Sequence, residues 1–256
     1  MTPALELTNA SVCQGGRVVL ASAGLKVSPG EVVGVVGANG AGKTTLLRAA
    51  LGLVALESGR AELGGQDVLK LSDAQRARLV GYLPQDRRVG WNMSAWRVAS
   101  LGALTSSPAE ARRRAHAALI RVGLAGLEDR GVLDMSGGER ARVLLARLLV
   151  AGSPVLVADE PVAGLDPDAQ LLTLEILRDA AVRGAAVVLT LHDLTLAARF
   201  SDRLVVLLRG QVVADARPAE ALKSDILAEA FALDGGLEPG RHGPTLAAQR
   251  LRRERP

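Results

Sequence analysis

With 256 residues, 48% of them apolar, the chain can bury a full core as one large α/β unit or two small ones, which excludes a disordered or fibrous chain. The formal net charge of +4 owes much to Arg250, Arg252, Arg253 and Arg255, so the basic excess reads as a solvated tail and no nucleic-acid partner is expected. Aromatic residues are only 2% of the chain, which leaves almost no stacking platform for single strands. The single cysteine, Cys13, cannot form an internal disulfide and suits a reducing compartment. Met1 to Ala10 lacks the basic start and apolar run of a signal peptide. The most apolar stretch, Val143 to Ala158, is broken by Arg147, Gly152, Ser153 and Pro154, so no membrane span is expected.

In chain order, Ala4 to Val12, Val18 to Leu20 and Gly24 to Val27 read as strands. Glu31 to Val36 reads as a buried strand that leads into a glycine-rich loop and a helix from Lys43 to Leu51. Ala61 to Leu63 and Asp67 to Leu69 flank Gly64-Gly65, a hairpin signal, and Leu79 to Leu83 is a short strand ended by Pro84. From Ser94 to about Val150 the pattern is helical and reads as an insertion, with Pro108 opening one Arg-rich helix and Gly123 closing it. Strands return at Val155 to Ala158, Ala186 to Leu191 and Arg203 to Leu208, with a helix from Asp168 to Val182, the rhythm of a parallel sheet. From Gly235 onward Gly, Pro and Arg dominate, and residues 235–256 are expected to form a flexible basic tail.

Gly37-Ala38-Asn39-Gly40-Ala41-Gly42-Lys43-Thr44 matches the phosphate-loop pattern, and Thr45 continues it into the helix. Glycines there let backbone N–H groups and a helix N-terminus wrap phosphate oxygens. Lys43 would bridge the β- and γ-phosphates and Thr44 would hold Mg²⁺. A Gly-rich turn between strand and helix is the plainer reading, but this one carries one of only four lysines in the chain.

Val155 to Ala158 ends in Asp159-Glu160, at the strand end where open α/β sheets place ligands. Asp159 would hold Mg²⁺ through its water shell, and Glu160 would orient and deprotonate an attacking water. Ser136-Gly137-Gly138-Glu139 is a capping box before an apolar helix, and a capped helix start also offers N–H groups and a positive dipole end to a phosphate.

The order of these motifs, together with Gln85 in Tyr82-Leu83-Pro84-Gln85, Asp166 in Ala163-Gly164-Leu165-Asp166 and His192 in Leu191-His192-Asp193, resembles the ABC transporter ATPase family to about residue 232. The resemblance implies an α/β P-loop NTPase (RecA-like) fold over residues 1–234. A mostly parallel core sheet would carry an N-terminal antiparallel β subdomain and an α-helical subdomain inserted at about 87–150. It also implies that Gln85 senses Mg²⁺ and γ-phosphate, that His192 holds Glu160 and water, and that Ser136 to Glu139 and Asp166 act across a head-to-tail dimer. The cofactors would be ATP and Mg²⁺. The partners would be a second copy or close paralogue, transmembrane permease subunits and, indirectly, a substrate-binding protein, at the cytoplasmic face of the inner membrane. Features around Tyr82 to Gln85, Trp91 to Ser94 and Arg217 to Glu220 resemble importers of ferric siderophores, haem or cobalamin; an exporter or another metal-uptake ATPase is the alternative.

Two positions depart from the family pattern. Glu139 stands where glutamine is common, and either completes the cap. Gln14 stands where an aromatic usually stacks on adenine, so weaker base selectivity is expected. Trp91 and Trp96 read either as a permease-docking element or as core residues. Two other classes fit less well. A chromosome or ribosome ATPase would add heptad segments or a second cassette, and a GTPase or small-molecule kinase leaves Ser136 to Glu139 and His192 unexplained.

Overall fold

The computed structural model describes residues 2–104 and 106–251. The first part of the chain runs β1 (Leu5–Gln14), β2 (Arg17–Val27), β3 (Val32–Gly37), α1 (Lys43–Ala50), β4 (Ser58–Leu63), β5 (Gln66–Asp67), α2 (Asp73–Leu79) and β6 (Val80–Leu83). Three helices follow, α3 (Ala95–Ser100), α4 (Pro108–Arg121) and α5 (Gly137–Ala151). The chain then alternates β7 (Val155–Ala158), α6 (Pro167–Val182), β8 (Ala186–Thr190), α7 (Leu194–Phe200), β9 (Arg203–Leu208) and β10 (Gln211–Ala216). It closes with α8 (Pro218–Ala221), α9 (Ser224–Phe231), β11 (Leu233–Gly240) and β12 (Gly243–Arg250).

The main sheet has the order β10-β9-β3-β8-β7-β6, parallel throughout except for the antiparallel edge strand β10. Strands β3, β7 and β8 are buried at every position, which is why they read as unbroken apolar runs. The period of two nevertheless survives, because alternate side chains feed two different cores. Val32, Leu156, Val187 and Leu204 face the core shared with the inserted helices. Val33, Val155, Val188 and Val205 face the core shared with α1 and the second sheet. That second sheet, β2-β1-β4-β5, is antiparallel.

Helices α3, α4 and α5 occupy the connection between the edge strand β6 and its neighbour β7. They are tied back by Ala95 N–H to Arg130 O, Trp96 N–H to Glu128 O and Val132 N–H to Met93 O, each 2.9 Å. The two tryptophans differ, because Trp96 packs against the larger core and Trp91 does not. Trp91 is 77% exposed. Trp96 is half-buried, its ring 6.2 Å from His116 with the Arg112 guanidinium 4.9 Å above it.

The segment expected to be a flexible tail is ordered as the β11–β12 hairpin through Arg250. Composition concealed its pattern. Leu237 pairs with Leu246 across the ladder, and both pack, with Leu233, against the larger core. Leu246 N–H also donates to Thr195 Oγ1 of α7 at 3.2 Å. Arg252, Arg253 and Arg255, part of the same expectation, lie outside the described residues. Two smaller differences concern the antiparallel sheet. The two short strands expected at 18–20 and 24–27 are one strand, β2, with register shifts along its pairing with β1. The strand expected at 67–69 stops at Asp67, whose side chain caps a 3-10 turn at Val68–Lys70.

The entry into β3 is pinned by Asp202, which accepts from Val32 N–H at 2.9 Å and from the Arg178 guanidinium of α6 at 2.5 Å. Burial works to raise the Asp202 pKa, but the hydrogen bonds from Arg178 and Val32 outweigh it and hold the carboxyl below the ordinary aspartate value. A carboxylate depressed on folding contributes stability that is present above its unfolded value, about 3.9, and lost as pH falls through the lower folded value. The unfolding free energy should therefore decline below about pH 4. Asp202→Asn should be less stable at neutral pH and show a shallower acid slope, measured by urea unfolding across pH.

Candidate active site

The carboxyl ends of β3, β8 and β7 lie side by side, and the loops leaving them form one cleft of about 520 Å³. Asn39, Gly40, Ala41, Gly42, Lys43, Thr44 and Thr45 line one wall, and Gln85, Glu160 and His192 line the other; Val19 reaches in from β2. The phosphate loop and the acidic strand end, far apart in sequence, are thus brought together. Gln85 is exposed on the loop after β6.

The loop's shape depends on glycine at two positions. Gly42, the cap of α1, has φ 104°, and a Cβ there would meet Val19 O at 3.0 Å. Gly37 has φ 157°, and a Cβ would sit 2.4 Å from Leu207 O. No other residue fits without moving the backbone. Lys43 is 7% exposed and its ammonium donates to Gly37 O at 2.9 Å and Ala38 O at 3.3 Å, closing the loop on itself. Burial pushes the Lys43 pKa down, while the Glu160 and Asp159 carboxylates act in the opposite direction.

Asp159 is fully buried. Its Oδ1 accepts from Thr190 Oγ1 at 2.7 Å, whereas Oδ2 has no hydrogen-bond partner among the described residues. A buried carboxylate oxygen left unpaired is costly unless something else occupies it. One carboxylate oxygen, the Thr44 hydroxyl and the Gln85 amide are the hard oxygen donors that Mg²⁺ takes alongside phosphate oxygens, so the residues present fit that ion.

Glu160 stands at φ 51°, a left-handed conformation uncommon for a residue with a side chain. Its N–H donates to Thr190 Oγ1 at 2.7 Å, and its Oε1 lies 2.5 Å from His192 Nε2. Its carbonyl accepts from Arg87, which also donates to Ala163 O at 3.0 Å. Thr190 and Arg87 are the residues that sequence reasoning missed. Thr190 is an ordinary β-branched residue of a buried strand until the register of β7 against β8 places its hydroxyl between Asp159 and Glu160.

The remaining candidates lie elsewhere. Ser136, the cap of α5, accepts from Glu139 N–H at 3.1 Å, and Glu139 returns a bond from Ser136 N–H at 2.7 Å, so the predicted capping box is present. Asp166 caps α6 by accepting from Ala169 N–H at 2.9 Å. Ser136, Gly137 and Asp166 are exposed, and neither they nor Gly138 and Glu139 line the cleft. Gln14 is exposed at the end of β1 and does not line the cleft; Val19 is the residue of this hairpin that does.

Removing the Thr190 hydroxyl would strand one buried carboxylate oxygen and one backbone N–H. Thr190→Val, which keeps the shape, is expected to cost about 1–3 kcal/mol for each group left unpaired. Urea unfolding of the two proteins measures it.

Known proteins place this geometry. The ABC transporter family model matches residues 20–163. The hemin import ATP-binding protein HmuV of Pseudomonas fluorescens is 39% identical over 254 residues, covering 96% of this chain and 100% of that protein. The cobalamin import ATP-binding protein BtuD of Halobacterium salinarum is 40% identical over 236 residues, covering 89% of this chain; the chain spans 58% of that relative's length. A solved ATP-binding subunit of an ABC transporter superposes with a TM-score of 0.78 at 26% identity, over 89% of this chain and 95% of that one. The cbiO1 protein of Clostridium perfringens, part of the complex cbiONQ, gives 0.76 at 27% identity, over 86% and 91%. The parallel-rich sheet, the antiparallel subdomain and the matched sequence together establish that this chain belongs to the ABC transporter family.

Proposed function

We propose that the chain is the ATP-binding and ATP-hydrolysing subunit of a prokaryotic importer, working as a head-to-tail dimer on a separate permease. The observation that carries this reading is the pairing of Glu160 with His192 across one cleft from the Lys43 loop. The N–H groups of residues 39 to 45 and the start of α1 receive the phosphates, and Lys43 turns from the Gly37 and Ala38 carbonyls to their charge. Thr44, Gln85 and Asp159 would hold Mg²⁺, which neutralises charge on the β- and γ-phosphates when bound. Glu160 accepts the proton of a water whose oxygen bonds to the γ-phosphorus as the bond to the bridging oxygen of ADP breaks, and His192 orients the Glu160 carboxylate.

Ser136, Gly137, Gly138, Glu139 and Asp166 serve the second copy's nucleotide. None of them lines the cleft, and Ser136, Gly137 and Asp166 are exposed, which supports that role. Among the described residues no helix is long and apolar enough to cross a membrane, which fits a peripheral subunit on the cytoplasmic face of a membrane partner. Trp91, 77% exposed in the inserted region, suits the permease contact. Haem, cobalamin or a ferric siderophore is the proposed cargo, supported by relatives named for hemin and cobalamin import.

Sizing with excess ATP and permease present tests the dimer. Glu160→Gln should accumulate as an ATP-dependent dimer, and Lys43→Ala should lose nucleotide binding; a Glu160→Gln protein that stays monomeric would overturn the model. The base site gives a second expectation. An aromatic stack contributes about 0.5–1.5 kcal/mol, and Gln14 and Val19 offer none, so GTP should be hydrolysed within about threefold of the ATP rate in parallel assays.

A further inference from the structure

Arg87 stands two residues beyond Gln85, and its guanidinium leaves its own loop to reach the turn after β7. It donates to the backbone carbonyl of Glu160 and, at 3.0 Å, to that of Ala163. Neither bond goes to a carboxylate, so the side chain is placed for geometry and not for charge neutralisation. Burial pushes its pKa down, and the nearby Glu160 charge acts in the opposite direction.

The two carbonyls it holds matter because of what lies between and beyond them. Glu160 occupies φ 51°, a conformation that persists only where the surroundings over-determine it. Thr190 fixes the N–H side of this residue, and Arg87 fixes its carbonyl side. Ala163 opens the short segment that ends at Asp166, the cap of α6. One guanidinium therefore ties three things together: the loop carrying Gln85, the backbone that aims the Glu160 carboxylate at the cleft, and the segment leading to Asp166.

We propose that Arg87 is a positioning residue for hydrolysis, holding the Glu160 turn in its left-handed form and passing displacement of the Gln85 loop to Glu160 and Asp166. It does not line the cleft and takes no part in nucleotide binding. This rests on the reading of Glu160 as the proton acceptor.

The test compares Arg87→Ala and Arg87→Lys with the unaltered chain and with Glu160→Gln, in the full-length protein. Arg87→Ala should lower kcat for ATP by roughly tenfold to a hundredfold, the scale of a small misplacement of a catalytic group. KM, binding of a fluorescent ATP analogue and the thermal midpoint should stay near the unaltered values. Arg87→Lys can replace one of the two bonds and should recover kcat in part; it also serves as the readout if the alanine variant fails to fold. An unchanged kcat in the folded variants, or a loss matched by raised KM and a lowered midpoint, overturns the proposal. If Glu160→Gln itself retains full activity, the reading of Glu160 fails instead, and the two failures are told apart.

Discussion

The site depends on one constraint: β3, β8 and β7 must run parallel, in register and buried on both faces, so that Gly37, Thr190 and Ala158 end at the same edge. Only then does the phosphate loop face the Asp159-Glu160 pair, and only then does a single hydroxyl reach both acids. Thr190 Oγ1 donates to Asp159 and accepts from Glu160 N–H, so it uses its donor and one acceptor position to lock two consecutive residues into different roles. Asp159 is held buried with one oxygen unpaired, while Glu160 is turned out toward the cleft. A one-residue slip of β7 against β8 would place an apolar side chain where this hydroxyl stands and invert the two cores at once.

What could be read from the sequence was whatever is encoded by neighbours in the chain. Gly37 to Thr45, Asp159-Glu160 and the Ser136-Glu139 box are local patterns; residues 39 to 45 and Glu160 line one cleft, and Ser136 with Glu139 forms the cap of α5. The buried strands were legible as apolar runs, although the run alone did not reveal that alternate residues serve separate cores. Thr190 and Arg87 were invisible for a different reason: each acts on a partner 30 or 73 residues away through a hydrogen bond that only the strand register and loop packing create. The β11–β12 hairpin was missed because Gly and Pro obscure its alternation. Three leucines, not composition, hold it down.

The inserted helices show how a polar, arginine-rich segment can be well packed. Helix α4 is arginine-rich and amphipathic, and it buries Ala115, Ala118 and Leu119 against the larger core. Arg114 crosses to Val150 O at the end of α5 and to Ser106 Oγ, satisfying a terminal carbonyl that the helix itself cannot. The arginines here act partly as long donors to backbone, as Arg87 does at the site and Arg76 does at Leu51 O and Gly52 O. A planar guanidinium with five donors suits that task better than lysine, in keeping with a chain that carries few lysines.

Glycine at the start of α5 makes the strongest physical case for a second nucleotide contact. Gly137 and Gly138 are the first two helical residues, where alanine would favour the helix by up to about 1 kcal/mol per position. A Cβ at Gly137 would meet nothing within 4 Å, and one at Gly138 only Leu165 Cδ2 at 3.7 Å, an ordinary contact. Neither residue has positive φ. Nothing among the described residues therefore requires glycine at either position. The cap consumes Ser136 Oγ as an acceptor and the N–H of Glu139, which leaves the Ser136 hydroxyl proton and the N–H groups of Gly137 and Gly138 for another partner. Close backbone approach by an anionic group is what bare glycines at a helix start permit. These donors do not line the chain's own cleft, which supports the proposed role of this helix start toward a phosphate carried by a second copy.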